Sequence, residues 1–305
     1  MKDFVINFLE YSTQVYECID YPAGEMQIRI RPQWIEYIES AKTVTINAAL
    51  AGVSTILSRN IIGLLLLTDA IRAINPMVAV NLNIPYLPYS RGDRRFVDGD
   101  CHGLATFASI LNLAHFDCVT TLDVHHQPRA NMFVSNLVNK APASLIVSAI
   151  SNFESHVGLK ITVLFPDAGA EKRYRNCIPT GVPVRAATKK RNVKTGAFDG
   201  FTVPPKDAFE NHNILIVDDI CDGGGTFLGI SDALQLTGII PRLGLYITHG
   251  IFSGGFEKLS KHFEQIYTTN SICRDVEPPN SHISDSFVAL LENSAQDNVL
   301  DKRLV

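Results

Sequence analysis

Short apolar runs, each closed by polar or turn residues, alternate along this chain with longer amphipathic stretches. Strands of a parallel sheet are covered on both faces, so they appear in a sequence as nearly continuous apolar runs. The runs are TVTINAAL (43–50), MVAVNLNIPYL (77–87), CVTTLDV (118–124), ITVLFPD (161–167), ILIVDD (214–219) and RLGLYITHG (242–250). This alternation predicts an α/β protein built from open, mostly parallel sheets flanked by helices.

The stretches between the runs place apolar residues three and four positions apart, as the buried face of a helix requires. They are SRNIIGLLLLTDAIRAI (58–74), GLATFASILNLAHF (103–116), ASLIVSAISNF (143–153) and TFLGISDALQL (226–236). The most apolar segment, IIGLLLL at 61–67, is far shorter than a membrane span needs. It therefore predicts a buried helix.

The length of 305 residues favours two domains of about 150 residues each over one large core. The segment NLVNKAPASLIV (136–147) contains a proline suited to a helix start, and it separates the first cycles of the pattern from the later ones. We therefore expect an amino-terminal domain over 1–140 and a carboxy-terminal domain over 141–284. The last residues, 285–305, are expected to return to the amino-terminal domain.

Composition and charge narrow the class of protein. The formal net charge is -4 and the isoelectric point is about 6.1, so the chain lacks the basic field that non-specific nucleic-acid binding needs. The six cysteines are widely spaced and form no CxxC pair, which argues against a zinc knuckle and against a disulfide framework. No basic segment leads into a long apolar one near residue 1. We expect a cytoplasmic protein that acts on small molecules rather than on nucleic acid or membranes.

Two carboxylates and a glycine-rich turn follow the run ILIV. Ligands of open parallel sheets bind beyond the carboxyl ends of the strands, and this is the predicted place of both carboxylates. Glycines bring free backbone amides to the start of a helix, a combination that binds phosphate, while two carboxylates can accept hydrogen bonds from a diol such as a ribose. The alternative is a tight turn with solvated aspartates. The candidate ribose-phosphate residues are Asp218, Asp219, Asp222, Gly223, Gly224, Gly225 and Thr226.

This loop resembles the ribose 5-phosphate loop of proteins with the phosphoribosyltransferase type I fold. Other segments are similar to motifs of one branch, the ribose-phosphate pyrophosphokinases, which make phosphoribosyl pyrophosphate (PRPP). YPAGE (21–25) is similar to their FxDGE, PYSRGDRR (88–95) to PYxRQDRK, TLDVHHQ (121–127) to DLHxxQ, FPDAGAEKR (165–173) to SPDxGGxKR and TKKRN (188–192) to DKRR. Each match is short, but together they follow the family's order over most of the chain.

The resemblance implies two phosphoribosyltransferase-like domains and a transferase of the ribose-phosphate diphosphokinase type. Such an enzyme transfers the β,γ-diphosphate of ATP to the anomeric hydroxyl of ribose 5-phosphate and needs no covalent enzyme intermediate. The implied cofactor is Mg²⁺, with ATP as co-substrate. The resemblance also implies a homo-oligomer built from dimers, of which a hexamer is one form, with YPAGE of one subunit completing a neighbour's ATP site.

Residue roles carry over where the motifs match. His125 and Asp167 correspond to residues that hold Mg²⁺ with the ATP phosphates, and a carboxylate at a strand end suits this oxygen-preferring cation. Lys189 and Arg191 match a mobile catalytic loop whose cations neutralise oxygens that gain charge during transfer. The structural alternatives are a hydrogen-bonded histidine, a helix N-cap at Asp167 and a solvated basic turn.

The expected ATP-binding residues are Tyr21 and Glu25 in YPAGE and Arg91 and Asp93 in PYSRGDRR. The planar guanidinium of Arg91 can bind phosphate oxygens in a bidentate manner. These assignments rest on the resemblance rather than on spacing or charge.

Three departures from the family's motifs bear on substrate binding. Gly92 replaces a glutamine and Ala23 an aspartate, which affects the expected adenine contacts. Gly223 replaces a threonine whose hydroxyl contacts the 5-phosphate, and a hydrogen bond to a charged group typically contributes about 1.5–3 kcal/mol. A roomier, less polar loop suits a 5-phosphate that is not a terminal monoester. The alternative acceptor is therefore a larger molecule such as ADP-ribose, converted to its 1-pyrophosphate in NAD salvage.

Two further functions share parts of this pattern. One is a non-catalytic paralogue that assembles with active synthetases and regulates them, although the catalytic and metal residues named above argue against it. The other is a nucleobase phosphoribosyltransferase that consumes PRPP through the same diol-and-phosphate loop. The motifs PYSRGDRR, DVHHQ and FPDAGAEKR discriminate, because an ATP site needs them and a base-salvage site does not.

Overall fold

A computed structural model describes residues 3–8, 15–52, 56–191, 198–209, 213–238, 242–272 and 281–284. The chain divides into two compact units, and the change from one to the other falls after Lys140. Of the described residues, unit 1 contains 3–140 with 271–272, and unit 2 contains 141–270 with 281–284. The predicted return of 285–305 to the first domain lies outside the described residues.

Unit 1 is a parallel sheet with helices and one separate hairpin. Its sheet has the strand order β1-β4-β5-β6-β7, with every pair parallel, while β2 and β3 form an antiparallel pair. The elements are β1 (Phe4–Phe8), β2 (Tyr16–Asp20), β3 (Met26–Ile30), α1 (Pro32–Glu39), β4 (Thr43–Ala48), α2 (Leu57–Ile74), β5 (Ala79–Asn83), α3 (Gly103–Asn112), β6 (Cys118–Leu122), α4 (Gln127–Phe133) and β7 (Leu137–Lys140).

The core of unit 1 forms where α2 covers the sheet. Leu64, Leu67 and Ile71 follow helical spacing, and all three are fully buried in one cluster with Ile46 of β4 and Leu82 of β5. Burial of one such side chain contributes about 1.5–3 kcal/mol, so this face fixes the helix on the sheet. The predicted helix at 61–67 lies within α2, where Ile61, Leu64 and Leu67 are buried as expected and Ile62 is 50% exposed.

Unit 2 is built on a second parallel sheet with the strand order β15-β14-β13-β12-β8-β9, and β10 and β11 form a separate antiparallel pair. Two short 3₁₀ turns cover Arg175–Cys177 and Lys206–Ala208. The elements are α5 (Ala143–Val157), β8 (Thr162–Phe165), α6 (Ala168–Tyr174), β9 (Val184–Ala186), β10 (Thr188–Arg191), β11 (Phe198–Thr202), β12 (Asn213–Cys221), α7 (Gly225–Leu236), β13 (Arg242–Gly250), α8 (Glu257–His262), β14 (Gln265–Thr269) and β15 (Ser281–Ser284).

The centre of unit 2 is the pair β8 and β12. Every residue of β8 is buried, and the ILIV segment of β12 is buried on both faces, as the continuous apolar run predicts. After β8 the chain adds β9 on one side of this strand, whereas β12 and all later strands lie on its other side. The chain order therefore reverses between β8 and β12. Open α/β sheets bind ligands at such a reversal, beyond the carboxyl ends of the strands.

The predicted fold class is confirmed, and each predicted strand and helix is present, most of them with adjusted ends. The run 161–167 forms a strand only to Phe165, because Pro166 has no amide hydrogen to extend the ladder. The predicted helix 103–116 ends at Asn112, and His115 beyond it has a φ of 48°. Among the helices that the structure describes, none combines the length and apolar character needed to cross a bilayer.

Candidate active site

The two carboxylates at the end of β12 lie at the reversal of unit 2. Asp219 is 3% exposed and Asp218 is partly buried. The backbone amide of Asp219 donates to Oδ1 of Asp218 at 2.9 Å, and Oδ2 of Asp219 lies 2.8 Å from a guanidinium nitrogen of Arg173. The acidic pair is thus held by a backbone bond on one carboxylate and by an ion pair on the other.

Asp218 holds its proton more tightly than an ordinary aspartate does. Burial and the neighbouring negative charge of Asp219 raise the pKa of Asp218 well above its ordinary value, and the positive charge of Arg173 only partly opposes this. A carboxyl group that keeps its proton can donate a hydrogen bond, and an ionised one accepts. Asp218 can therefore donate as well as accept a hydrogen bond toward the hydroxyl groups of a diol.

Arg173 is the last residue of the segment FPDAGAEKR (165–173), but the sequence alone indicates no role for it. It lies on α6, which follows β8, the strand next to β12. Its guanidinium lies 5.3 Å from the ring centroid of Tyr174 and donates to the Tyr174 hydroxyl at 3.2 Å. Tyr174 is fully buried, so the arginine that holds Asp219 is itself anchored to the core.

The turn after β12 has the geometry of an anion-binding loop. Gly224 has a φ of 81°, a left-handed conformation that glycine adopts without strain. A Cβ at this position would come 3.1 Å from the Leu259 side chain, so there is also little room for a larger residue. Gly223 and Gly225 are exposed, and a Cβ on either would meet nothing within 4 Å. Helix α7 begins at Gly225, followed by the half-buried Thr226, and its first amides have no acceptor within the helix.

The loop that follows β13 forms hydrogen bonds with this turn and with the end of β12. The hydroxyl of Ser253 donates to Oδ1 of Asp222, and the amides of Ile251 and Phe252 both donate to the carbonyl of Cys221. Burial, followed by the charges of Asp222 and Asp218, raises the pKa of the Cys221 thiol to about 12. The thiol is therefore neutral and part of the packing. Sequence reasoning missed Ser253, because its partner Asp222 lies on a different loop.

Asp167 and Lys189 form a second charged pair in unit 2. Oδ1 of Asp167 caps α6 by accepting from the amides of Gly169 and Ala170, at 2.9 and 3.0 Å, and Oδ2 lies 3.0 Å from Nζ of Lys189. Partial burial acts to raise the pKa of Asp167, but these amides and the ammonium group outweigh it and lower the pKa. The N-cap alternative is observed, yet one oxygen still faces a cation.

The Asp167 carboxylate fits a magnesium site on its donor chemistry. It is ionised, its side chain is 37% exposed, and Oδ2 already attracts a positive group. Among the described residues no group of three or more His, Cys, Asp or Glu side chains could cage a metal. Mg²⁺ commonly binds through one or two carboxylates together with substrate phosphates, so a single carboxylate is compatible with it. Arg191 ends β10, but its side chain lies outside the described residues, as does the segment 192–197.

In unit 1 the predicted ATP residues Tyr21 and Glu25 lie on the turn between β2 and β3. Tyr21 is 44% exposed, its hydroxyl donates to Gln27 at 2.7 Å, and its amide donates to the carbonyl of Glu25 at 2.9 Å. Glu25 is exposed and, with Gly24 and Arg59, lines a small surface pocket. Both side chains are thus presented at the surface by a closed turn.

The other predicted ATP residues lie between β5 and α3. Arg91 is exposed, whereas Asp93 is 2% exposed, and its carboxylate faces Nε of Arg94 at 3.2 Å and Nε of Arg129 at 3.5 Å. Arg129 also donates to the carbonyl of Asp93 at 3.0 Å. Sequence reasoning missed Arg129, which comes from α4. The structure gives Asp93 an internal role in this loop, and its contact with ATP stays a prediction.

The predicted metal residue His125 is partly buried and lies between β6 and α4. Its neighbour His126 is the N-cap of α4, with Nδ1 accepting from the amide of Arg129 at 3.3 Å. Asp123, just before them, has a φ of 49° where the chain turns off the strand. Unit 1 thus presents its candidates on the loops after β5 and β6 and on the hairpin turn.

No protein-family model matches the chain, but known proteins of one kind are similar to it in sequence and in fold. A ribose-phosphate pyrophosphokinase of Pyrococcus furiosus is 30% identical over 210 residues, which is 68% of this chain and 72% of the relative. A ribose-phosphate pyrophosphokinase of Pyrococcus abyssi is 28% identical over 259 residues, 84% of each chain. The crystal structure of phosphoribosylpyrophosphate synthetase from Mycobacterium smegmatis is similar in fold, with a TM-score of 0.75 over 98% of this chain and 99% of that chain at 18% identity.

Proposed function

The chain belongs to the ribose-phosphate pyrophosphokinase family, and on that premise we propose that it transfers the β,γ-diphosphate of ATP to the anomeric hydroxyl of ribose 5-phosphate, giving PRPP and AMP. The family's enzymes are transferases. The single observation that carries the acceptor assignment is the arrangement at the reversal of unit 2. There an acidic pair tied to Arg173 directly precedes an open glycine turn and the start of a helix.

The acceptor would be bound by groups that need little rearrangement. Asp218 and Asp219 hold the 2- and 3-hydroxyl groups of the ribose, and the amides of the turn 222–226 bind its 5-phosphate. Such fixed positioning can replace much of the entropy cost of bringing two substrates together. The anomeric hydroxyl then attacks the β-phosphorus in line, and AMP is the leaving group.

The donor side relies on charge. Lys189 supplies a positive group to the oxygens that gain charge during transfer, and we assign the same role to Arg191. Mg²⁺, when bound through Asp167 and the ATP phosphates, supplies further charge neutralisation. We propose that His125 helps to hold Mg²⁺ together with Asp167 and the ATP phosphates, in a ligand set made mainly of oxygens. Tyr21, Glu25, Arg91 and Asp93 are proposed to bind ATP.

A second acceptor is favoured by the open space at Gly223. The family's threonine would place a hydroxyl where this chain has an exposed glycine with nothing within 4 Å of a Cβ. A 5-phosphate that continues into a second group, as in ADP-ribose, could use that space. The product would be ADP-ribose 1-pyrophosphate.

We also propose that the chain forms a homo-oligomer built from dimers. The exposed turn that carries Tyr21 and Glu25 supports this, since it presents both side chains to the outside of unit 1. Light scattering coupled to size-exclusion chromatography would measure the assembly, and a monomeric mass at micromolar concentration would contradict the proposal.

The experiment that tests the function is AMP release from Mg-ATP, with ribose 5-phosphate and ADP-ribose offered in parallel and products identified by mass. PRPP and AMP from ribose 5-phosphate would support the first proposal, and turnover only with ADP-ribose would support the second. Asp219→Asn should lose activity with either acceptor, whereas Asp117→Asn in unit 1 should keep it, because the amide oxygen of asparagine can still accept from the Val80 amide. No AMP with either acceptor would contradict both proposals.

A further inference from the structure

Arg173 contacts both the acidic pair and the core. One guanidinium nitrogen lies 2.8 Å from Oδ2 of Asp219, and the group packs over the ring of the fully buried Tyr174. The Asp219 side chain is 4% exposed and that of Arg173 is 25% exposed. An ion pair this sheltered is screened little by solvent, and a planar guanidinium holds a carboxylate in a defined orientation.

The same helix links the two charged pairs of unit 2. Helix α6 begins at the cap residue Asp167, which faces Lys189, and carries Arg173 in its last turn, where it faces Asp219. The helix therefore joins the region proposed for the diphosphate to the region proposed for the ribose. A shift of α6 would change the position of Arg173 and, with it, the orientation of Asp219.

We propose that Arg173 is a positioning residue for the acceptor, because its ion pair with Asp219 fixes the carboxylate that accepts from the ribose diol. This inference rests on the proposed function, since it assumes that the ribose binds at the acidic pair. Without Arg173, Asp219 would be a nearly buried carboxylate beside a second carboxyl group and would lose the ion pair that Arg173 supplies from α6. Its carboxylate could then adopt other rotamers, so the diol would lose its directed acceptor.

Arg175 provides a matched control. It lies two residues further along the chain, in the 3₁₀ turn that follows α6, and pairs with Glu171 at 2.9 Å. Its side chain is 57% exposed, so removing it takes away a surface ion pair of little energetic consequence. It has the same charge and comes from the same segment as Arg173, but it contacts neither acid of β12.

The test compares ribose 5-phosphate with 2-deoxyribose 5-phosphate, which lacks one hydroxyl of the diol, at saturating Mg-ATP. For Arg173→Ala we expect the preference for ribose 5-phosphate in kcat/KM to fall roughly tenfold or more, the loss typical of a hydrogen bond to a charged group. The KM for ribose 5-phosphate should rise while the KM for ATP stays near that of the wild type. Arg173→Lys should recover part of the preference, and Arg175→Ala should keep all of it.

A purely structural role for Arg173 would weaken both acceptors equally and leave their ratio unchanged, and that result would overturn the proposal. Should Arg173→Ala fail to fold, Arg173→Lys and Arg173→Gln can be compared in the same way. We expect Arg173→Gln to lose the preference for ribose 5-phosphate. If both variants kept the wild-type ratio of kcat/KM for the two acceptors, the positioning role of Arg173 would be contradicted.

Calorimetric titration of ribose 5-phosphate separates this proposal from the proposed function. If the wild type binds ribose 5-phosphate but releases no AMP when Mg-ATP is added, the transfer is contradicted. A smaller difference in affinity between ribose 5-phosphate and its 2-deoxy analogue in Arg173→Ala than in the wild type would still support the positioning role. If the wild type and Arg173→Ala bind with equal affinity, the positioning role fails while the transfer can stand. If the wild type does not bind, both fail.

Discussion

Both units contain an open parallel sheet, but the two sheets differ in chain order. In unit 1 the strands of the sheet follow one another in sequence order, β1-β4-β5-β6-β7, whereas in unit 2 the order reverses between β8 and β12. The acidic pair of β12 and the cap residue Asp167 after β8 lie at this reversal. Among the described strands of unit 1 no such reversal occurs, and its candidate ATP residues lie on loops and a hairpin turn instead.

Each unit also pairs a buried aspartate with an arginine from a helix. In unit 1 Arg129 contacts both the carboxylate and the backbone carbonyl of Asp93, so the pair closes a loop on itself. In unit 2 Arg173 contacts the carboxylate of Asp219 at the sheet reversal. A buried ion pair therefore does not by itself show which ligand a site binds. We assign the Arg173–Asp219 pair to the acceptor site because it lies at the reversal of the sheet, next to an open glycine turn.

The largest expected effect is in unit 2. Lys189→Ala should lower kcat by about 10²–10³-fold, since a positive group that stabilises charge in the transition state is lost, while the KM for ATP changes less. Steady-state kinetics would measure both constants. Lys190→Ala, the next residue of β10, is the control and should retain turnover. A Lys189→Ala enzyme with wild-type kcat would remove this residue from the mechanism.

In unit 1 removal of Arg129, the arginine that pairs with Asp93, should lower the stability of the fold and leave the preference between acceptors unchanged. Arg129→Ala leaves the 2%-exposed Asp93 with a poorer set of partners, so we expect a loss of about 1–3 kcal/mol in the free energy of unfolding. Urea titration followed by circular dichroism would measure it. The preference for ribose 5-phosphate over its 2-deoxy analogue should be unchanged, and a loss of that preference would break the distinction between the two arginines.

The glycine turn of unit 2 allows a finer test. Gly224→Ala should cost about 1–2 kcal/mol, the penalty of a left-handed conformation for a residue with a Cβ, with the contact to Leu259 adding to it. Gly223→Ala meets open space and should be nearly neutral for stability. Thermal unfolding of the two variants would compare them. Equal losses would show that the turn does not have the described backbone geometry.

The smallest expected effect is a gain of stability at Asp218. The raised pKa of its buried carboxyl means that the folded state disfavours the ionised form, so stability is lost as the pH rises from the unfolded pKa through the folded one. Asp218→Asn cannot ionise and should raise the Tm near pH 8, by about 2–4 °C per kcal/mol gained, with the gain shrinking toward pH 4. A gain of the same size at both pH values would contradict the raised pKa. The variant should still lose acceptor binding.

Much of the fold follows from sequence patterns because its central strands are buried on both faces. The run ILIV predicts β12 directly, and RLGLYITHG predicts β13 with its observed ends. The edge elements were missed: β1 and β7 are short and partly exposed, and the hairpin β2–β3 alternates without a long apolar run. Short edge strands depend on pairing with a neighbour, and periodicity alone does not reveal that.

The site was predictable where a motif joins adjacent residues. The acidic pair and its glycine turn are contiguous, so their joint position follows from one strand end. Partners from other elements were not predictable, because the pairing of Arg173 with Asp219, or of Ser253 with Asp222, requires the order of strands in the sheet. The burial of Asp93 was likewise not predictable, because a charged residue in a polar loop is usually exposed.

Hydrogen–deuterium exchange with mass spectrometry, with and without saturating ribose 5-phosphate, would locate the acceptor site. We expect slower exchange in the peptide that covers the end of β12 and the start of α7, while peptides over the loops after β5 and β6 in unit 1 remain unchanged. Protection confined to unit 1, or no protection of the glycine turn at concentrations that support turnover, would contradict the claim that the reversal in unit 2 is the acceptor site.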